Sequence, residues 1–504
     1  MKKYQYIVFL AFLLLSLLPS YVLSLENHYW SNQFGSRSAL MGGAVVGGVR
    51  DTSAGYYNPG ALGFVEQESF AINANGYKAE FVDIVNGAGT TDPVNITSMD
   101  ISSVPLLLSG TVTIANHSFG YSLVGKNQSA MKMSGRHIEI IDVLDSEADY
   151  IYPTSEIEKF GEDYSGIAFD GIEDYRSQFI YESKISEMWG GVSWANKIAH
   201  NVSIGVSSFF AFRSQHYTLI KSAKVTNEGV ESGFIGSEES SSNTNFYNLR
   251  GLLKLGIAAE FCRLRVGAAL TTPSLNLFGK GDVGRGFSKF KEDQPIELNL
   301  ADDHQNELNA TYKTPLSLAV GLETIIAQNT HFAATVEWFT EQKRYNVITP
   351  KSRNFIVGNS LGFINSQEAL AIVDEADSVV NFAFAFSHKF THKTTGYLSF
   401  RTDFETHPNN SGQSSNLGIN NWDIYHATLG ITRKGESSEI ALGLTYSFGH
   451  QGSFKQLANL NPAERISNNP DSPEFGNFIL APEKETSVDY RALGVIIGYT
   501  HYFK

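Results

Sequence analysis

The residues of this 504-residue chain best suited to chemistry are charged groups set into alternating apolar–polar stretches. Arg213, Arg250, Lys254 and Arg401 fall on the polar side of their stretches, as do Glu260, Glu323, Glu337 and Asp403. A planar guanidinium matches a carboxylate through two parallel hydrogen bonds. Such an arginine therefore suits the acidic group of an amphipathic ligand. The competing use is internal, because a charge withdrawn from water is costly unless paired. On that reading Arg401 would be held by Asp403 or Glu337. Arg250 and Lys254, four residues apart on one face, are the first pair to test as a carboxylate receptor.

Catalytic patterns are weaker. The thirteen histidines are scattered, and no pair has the spacing of a zinc site. Neither a nucleophile elbow nor a glycine-rich phosphate loop is found ahead of a helix. Ser447 and His426 share the inward parity that a serine–histidine pair would need, but so do several accidental pairs. The expectation is a non-enzyme with no cofactor, no catalytic residue and no metal. A formal charge of −14 argues against nucleic acid as a partner. Much of that charge is local: twelve Asp and Glu residues lie between Glu139 and Tyr175, with Lys159 the only basic one. That stretch reads as a solvated loop or as a site for divalent cations and lipopolysaccharide. Cys262 is single, so no intrachain disulfide can form.

The elements that would position these groups are strands. In Glu439 to Phe448 the residues Ile440, Leu442, Leu444, Tyr446 and Phe448 alternate with Glu439, Ala441, Gly443, Thr445 and Ser447. Such period-two alternation marks a strand with one apolar face. Similar stretches recur near 68–80, 104–115, 118–133, 178–196, 201–218, 244–260, 264–276, 307–327, 330–342, 378–390, 394–404, 424–433 and 488–503. The gaps between them are long and short in turn. Short ones carry turn residues, such as Asn116-His117, Gln328-Asn329 and Lys434-Gly435. Long ones, near 134–177, 219–243, 277–306, 343–377 and 450–487, are rich in Gly, Ser, Asn and acids. This rhythm predicts an all-β, transmembrane antiparallel β-barrel of about fourteen strands. A content of 34 Phe and 23 Tyr suits the aromatic girdles of such a barrel. Ahead of the strands, Met1-Lys2-Lys3, the apolar run Ile7 to Leu18 and the small residues before Leu25 read as a signal peptide over 1–24.

Between leader and barrel lies Gly35 to Phe64, with six glycines between Gly35 and Gly55. So many glycines oppose a stable helix or an ordinary strand. Leu40, Met41, Val45, Val46 and Val49 nevertheless need cover. A compact coil that needs walls predicts a plug inside the barrel, with 25–66 as hatch and 67–504 as barrel. Its closing words, Asp51-Thr-Ser-Ala-Gly-Tyr-Tyr-Asn58-Pro59-Gly60-Ala-Leu, resemble the amino-terminal hatch of the FadL/TodX family of outer-membrane transport proteins. Gly60 stands where that family usually has alanine, a change expected to loosen the hatch. Leu270-Thr-Thr-Pro273-Ser-Leu, Thr314-Pro315-Leu-Ser-Leu-Ala-Val-Gly321 and Phe332-Ala-Ala-Thr-Val-Glu-Trp338 look like strand motifs of the same family, in the same order. Phe503, one residue from the end, looks like the assembly signal of outer-membrane barrels.

The resemblance implies passive uptake of a hydrophobic small molecule, long-chain fatty acid first, with lumenal basic groups as ligand contacts. Family members have a kinked third strand that lets ligand slip sideways into the bilayer. Here Gly125-Lys126-Asn127 breaks the alternation of Phe119, Tyr121 and Leu123, so Gly125 and Asn127 are the candidate kink. The location implied is the cell outer membrane, with both termini periplasmic. A monomer in contact with outer-membrane lipid and lipopolysaccharide is expected. The alternative is a FadL-like barrel without fatty-acid transport, such as a type IX secretion shuttle or a structural protein.

Overall fold

A computed structural model describes residues 28–89, 92–141, 173–227, 234–291, 297–357, 365–406, 421–462, 480–481 and 483–503. The leader and most of the acidic stretch 139–175 lie outside the described residues.

Strands run in chain order as β1 (Ser69–Val85), β2 (Ile96–Ile114), β3 (His117–Ile141), β4 (Glu173–Ala199), β5 (Val202–Asn227) and β6 (Phe234–Glu260). Next come β7 (Leu264–Thr271), β8 (Leu275–Lys291), β9 (Glu297–Asn309), β10 (Ser317–Ala327) and β11 (Thr330–Phe339). A short hairpin follows, β12 (Gln342–Ile348) and β14 (Ile372–Ala376), with β13 (Ile356–Val357) between its arms. The last are β15 (Val379–Lys389), β16 (Thr394–Asp403), β17 (Ile424–Lys434), β18 (Ser438–Lys455) and β19 (Glu485–Tyr502). β6 pairs with β7 below and β8 above, and β7 and β8 pair in turn with β10 and β9. Each of these two couples therefore makes one interrupted stave. β1 pairs with β19 from Ser69↔Tyr502 to Val85↔Ser487, which closes a barrel of fourteen antiparallel staves. Closure removes the two free outer edges that an open sheet would keep.

The expected parity holds. Ile440, Leu442, Leu444, Tyr446 and Phe448 are exposed on the outer wall, whereas Ala441 and Ser447 are buried inside. Outward rings gather in rows, such as Phe400, Tyr425 and Phe448, with centroids 6.2 and 5.6 Å apart.

The staves are taller than the alternation predicts. β4 and β6 are 27 residues each, and the gaps read as long loops at 219–243 and 277–306 are largely strand. A membrane crossing needs only about 9–11 residues. Beyond that height both faces meet water or polar cover, so the alternation fades while the backbone ladder continues.

Residues 28–66 fill the lower lumen. They contain single helical turns, Ser36–Leu40 and Ala54–Tyr57, and a 3-10 turn Pro59–Phe64. Their apolar side chains, among them Phe34, Leu40, Met41, Val49 and Leu62, form one cluster with wall residues such as Leu107, Val124, Phe209 and Leu252. Backbones meet closely here. A Cβ on Gly47 would lie 2.6 Å from the Gly321 carbonyl oxygen, and one on Gly60 would lie 2.7 Å from that of Gly256. Gly60 is thus a seat against the wall. The missing methyl is what allows that contact. Two further apolar clusters lie higher: one closes on Leu457, Ala458 and Leu460, the other beneath the β12–β14 hairpin.

The short turns and Tyr502 share one end of the barrel. His28 stands beside Asp403, at the other end of β16, with Nδ1 3.0 Å from the Asp403 carbonyl oxygen.

Candidate functional site

Above the enclosed segment is a cavity of about 70 Å³. Its walls bring together Lys126 of β3, Glu187 and Trp189 of β4, Arg213 of β5, Arg250 and Lys254 of β6, and Tyr29 and Tyr56 of the enclosed segment. Inward parity on four neighbouring staves sets these groups around one space.

Arg213 and Arg250 share one carboxylate. Arg213 Nη1 donates to Glu187 at 3.1 Å, and Arg250 Nη2 donates to its other oxygen at 2.6 Å. Arg250 Nε also donates to Thr314 at 2.9 Å, while its Nη1 is buried with no hydrogen-bond partner among the described residues. Tyr312 lies beneath both guanidiniums, 4.0 Å from Arg213 and 5.0 Å from Arg250. Lys254 does not join Arg250. It donates to the Tyr56 carbonyl oxygen at 2.8 Å and lies 4.7 Å from the Tyr56 ring centre. Lys126 donates to the Tyr29 carbonyl oxygen at 2.7 Å and to the Tyr56 hydroxyl at 3.0 Å. Both ammonium groups are thus met by neutral oxygens. The nearby Glu337 accepts from Trp30 Nε1 and Ser317 Oγ, each at 2.7 Å. With Lys313, five cations face two carboxylates around the cavity, an excess that favours an anion.

Arg401 is placed differently from the other three. It donates to the carbonyl oxygens of Trp30 and Ser31, at 3.1 and 3.0 Å. The expected bridges to Asp403 or Glu337 are replaced because the enclosed segment threads between these groups. Asp403 in turn accepts from the Trp30 amide and the Ser31 hydroxyl. The Asp403 carboxylate also lies 3.6 Å from His28. Burial opposes a charge on His28, but the Asp403 carboxylate outweighs it and the imidazole pKa is raised. Nearby Glu405 is pushed up to about 7, first by burial.

Asn58 is fully buried and donates to the carbonyls of Val46 and Ile257, both at 2.9 Å. Its own side-chain oxygen accepts from the Gly60 amide at 3.1 Å. One side chain therefore ties two stretches of the enclosed segment to β6, and Pro59 opens the turn that follows.

At Gly125 and Asn127 the β3–β4 ladder shifts register, with Lys126 the extra residue. Below this point β2 and β3 pair from Ile114↔His117 up to Leu107↔Val124. Above it their ladder stops, although β2 continues on β1 and β3 on β4. The wall parts beside the cavity. Register shifts on both sides at this height, at Lys126 between β3 and β4 and over Asn73 to Lys78 between β1 and β2, and such irregularities raise local twist.

Ser447 and His426 do meet, Oγ to Nδ1 at 2.7 Å, both buried. His426 Nε2 has no hydrogen-bond partner among the described residues, so no carboxylate orients the ring. The adjoining space, about 30 Å³, holds no more than a water. Among the described residues no group of three His, Cys, Asp or Glu could hold a metal.

Sequence reasoning missed Glu187, Trp189, Tyr56 and Lys126. Glu187 and Trp189 share an inward parity that was readable. Lys126 was hidden by the break in pattern that it causes.

A closed fourteen-stave barrel with its amino-terminal segment folded inside defines an architecture of the FadL/TodX type. Solved structures share this architecture. A Pseudomonas aeruginosa FadL homologue superposes with a TM-score of 0.56, at 12% identity, covering 95% of this chain and 100% of that one. The P. putida toluene transporter TodX gives 0.53 at 13% identity, covering 94% and 99%. A TodX mutant, described as a monoaromatic hydrocarbon channel, gives 0.52 at 12% identity, with 94% and 99% covered. At this identity the likeness is one of fold. No known family pattern and no curated protein matches the sequence.

Proposed function

We propose that the protein is an outer-membrane channel for passive uptake of hydrophobic small molecules, with long-chain fatty acids as the main substrate. The observation that carries this reading is the parting of β2 from β3 directly beside a cavity with a cationic excess. A sealed structural barrel would have no use for either. The apolar outer band fits a membrane, and the solved channels of the same fold support the class.

The ligand carboxylate is received in the cavity, where Arg250 Nη1 is unsatisfied and Arg213 and Lys254 add positive field. Tyr29, Trp189 and Phe339 offer apolar faces to the chain that follows. Residues 25–66 act as a hatch seated by Asn58, Pro59 and Gly60. The ligand leaves sideways through the gap above Gly125, past Asn127. The short turns face the periplasm and the tall staves face outward, among lipopolysaccharide. The protein works as a monomer, its barrel closing within a single chain through the β1–β19 ladder.

Trp189 lines the cavity, which supplies a direct test. A brominated long-chain fatty acid should quench tryptophan fluorescence saturably, and Trp189→Phe should remove most of the saturable part. No saturable quenching in the parent protein would contradict the reading.

A further inference from the structure

A concavity of the described residues lies on the outside of the barrel. It is a groove of about 660 Å³ that crosses β15 to β19, lined by Phe386, Leu398, Leu429, Ile431, Leu444 and Val495 among others. That volume is in the range of sites built for small ligands, about 300–1,000 Å³. Its lining is almost wholly apolar, and it faces where the bilayer would lie. At its short-turn end Gly396 makes room for the ring of Phe390, which lies 2.6 Å from where a Cβ would be.

Directly beyond that end the charge changes. The ends of β15 and β17 and the turn after β15 carry Lys389, Lys393, Arg433 and Lys434, together with His388 and His392, in a chain whose formal charge is −14. The two turns are neighbours, since the Lys434 amide donates to the Lys393 carbonyl at 2.7 Å. Arg433 is exposed two residues below Ile431, on the same outward side. The acids close by are Glu436 and Glu439, and the second accepts from the Tyr502 hydroxyl. Lys434 is spent on the Tyr502 ring, 4.9 Å from its centre. Lys389, Lys393 and Arg433 remain as an exposed basic margin beneath an apolar channel.

We infer that this groove and margin form a binding site for an anionic phospholipid, with an acyl chain in the groove and the phosphate on Lys389, Lys393 and Arg433. Basic groups at the end of an apolar intramembrane surface are the arrangement that recognises acidic headgroups. A lipid also fits the two halves in the right order, since its charged end must stay at the interface. The inference rests on the barrel's lying in the outer membrane with its short turns at the phospholipid leaflet, and not on what passes through the lumen.

The groove also abuts the lumen contents. Its lining includes Gly430 and Gly443, and Leu40 of the enclosed segment presses on these same glycines from within. A bound chain and Leu40 are thus separated by bare backbone.

The test is lipid retention. Purified barrel is exchanged into nanodiscs of equal phosphatidylglycerol and phosphatidylethanolamine, and the lipids that survive release are read by native mass spectrometry. Phosphatidylglycerol should be retained about ten-fold over phosphatidylethanolamine, and the triple variant Lys389→Gln, Lys393→Gln, Arg433→Gln should bring that ratio near one. Filling the groove with Leu398→Trp and Leu429→Trp should reduce retention of both lipids, with folding checked by heat-modifiable gel migration. Equal retention of the two lipids by the parent protein, or an unchanged ratio in the triple variant, would overturn the inference. Fatty-acid uptake is not read in this experiment, so its outcome is separable from that of the transport proposal.

Discussion

Arg37 Nη2 reaches both carboxylate oxygens of Glu323 at 3.0 Å, joining the enclosed segment to β10 at the short-turn end of the lumen. The same carboxylate is 3.3 Å from Arg265 and 3.2 Å from His331. Arg50, further along the segment, binds Glu260, which Arg265 also approaches at 3.2 Å. Five charged side chains thus clasp the segment to the wall. Glu323→Ala would leave Arg37 short of its carboxylate, and breaking one side of a buried pair costs about 3–5 kcal/mol. Arg265 is partly exposed and can rehydrate, so the lower end of that range applies. The loss should be local. The barrel's melting transition should move little, while small polar solutes enter loaded liposomes measurably faster. Unchanged permeability would mean that the clasp does not hold the seal.

Asn58 and Gly60 make an opposed pair of tests. Asn58→Ala would strand the buried carbonyls of Val46 and Ile257, at about 1–3 kcal/mol for each unsatisfied group. Gly60→Ala, which restores the residue usual in the resembled family, would press a methyl against the backbone of Gly256. Both variants should insert normally yet show faster proteolysis of 28–66 from the lumen side. A Gly60→Ala variant as protected as the parent would show that the wall yields at Gly256.

Arg250 is the sharpest probe of ligand chemistry. Its removal leaves Glu187 paired with Arg213, so the site should stay folded. Arg250→Ala should weaken binding of a fatty acid by about ten-fold or more, in line with about 1.5–3 kcal/mol for a charge-assisted hydrogen bond. Binding of an uncharged alkane should change little. Equal loss of both ligands in a titration would assign Arg250 a structural role.

The architecture was legible because burial on one side only imposes period two. Ile440 to Phe448 could be assigned a face residue by residue. The upper staves were not legible for the same reason in reverse: in Ser237-Glu-Glu-Ser-Ser-Ser-Asn243 no single apolar face marks the strand, yet the ladder runs through it. Parity also placed Arg213, Arg250 and Lys254 in the lumen. It could not tell that Glu187 would take the first two and the Tyr56 carbonyl the third, since those choices depend on distances between staves. The bulge at Lys126 looked like lost pattern, although its position was readable from Gly125. The contact of Gly60 with Gly256 was not legible, because a glycine that permits contact and one that permits motion look alike in a sequence.

Glu405 gives the account a pH dependence. Burial raises its carboxyl to about 7, and Asp423 and Asp377 push the same way while His28 opposes them. The folded protein then holds a proton that the unfolded chain has already lost. The stability this contributes is present below the ordinary carboxylate range and is lost as pH rises toward about 7. Glu405 is partly exposed, so solvent screening keeps the effect small. Hydrogen exchange around 28–31 and 404–406 should quicken between pH 5 and 7.5, and Glu405→Gln should flatten that change. An equal pH response in the variant would remove Glu405 from the explanation.

The claim most exposed to test is that hydrophobic ligand passes from the lumen through the gap between β2 and β3. Uptake of radiolabelled oleate by cells lacking a channel of their own measures it directly, with the parent protein compared against a variant lacking Lys126. Removing the extra residue should bring β3 back into register with β4 and close the gap. The account predicts that the parent raises uptake several-fold over empty cells and that the deletion, present in the outer membrane at equal amount, loses most of that gain. No gain with the parent, or full uptake through the deletion, would contradict it.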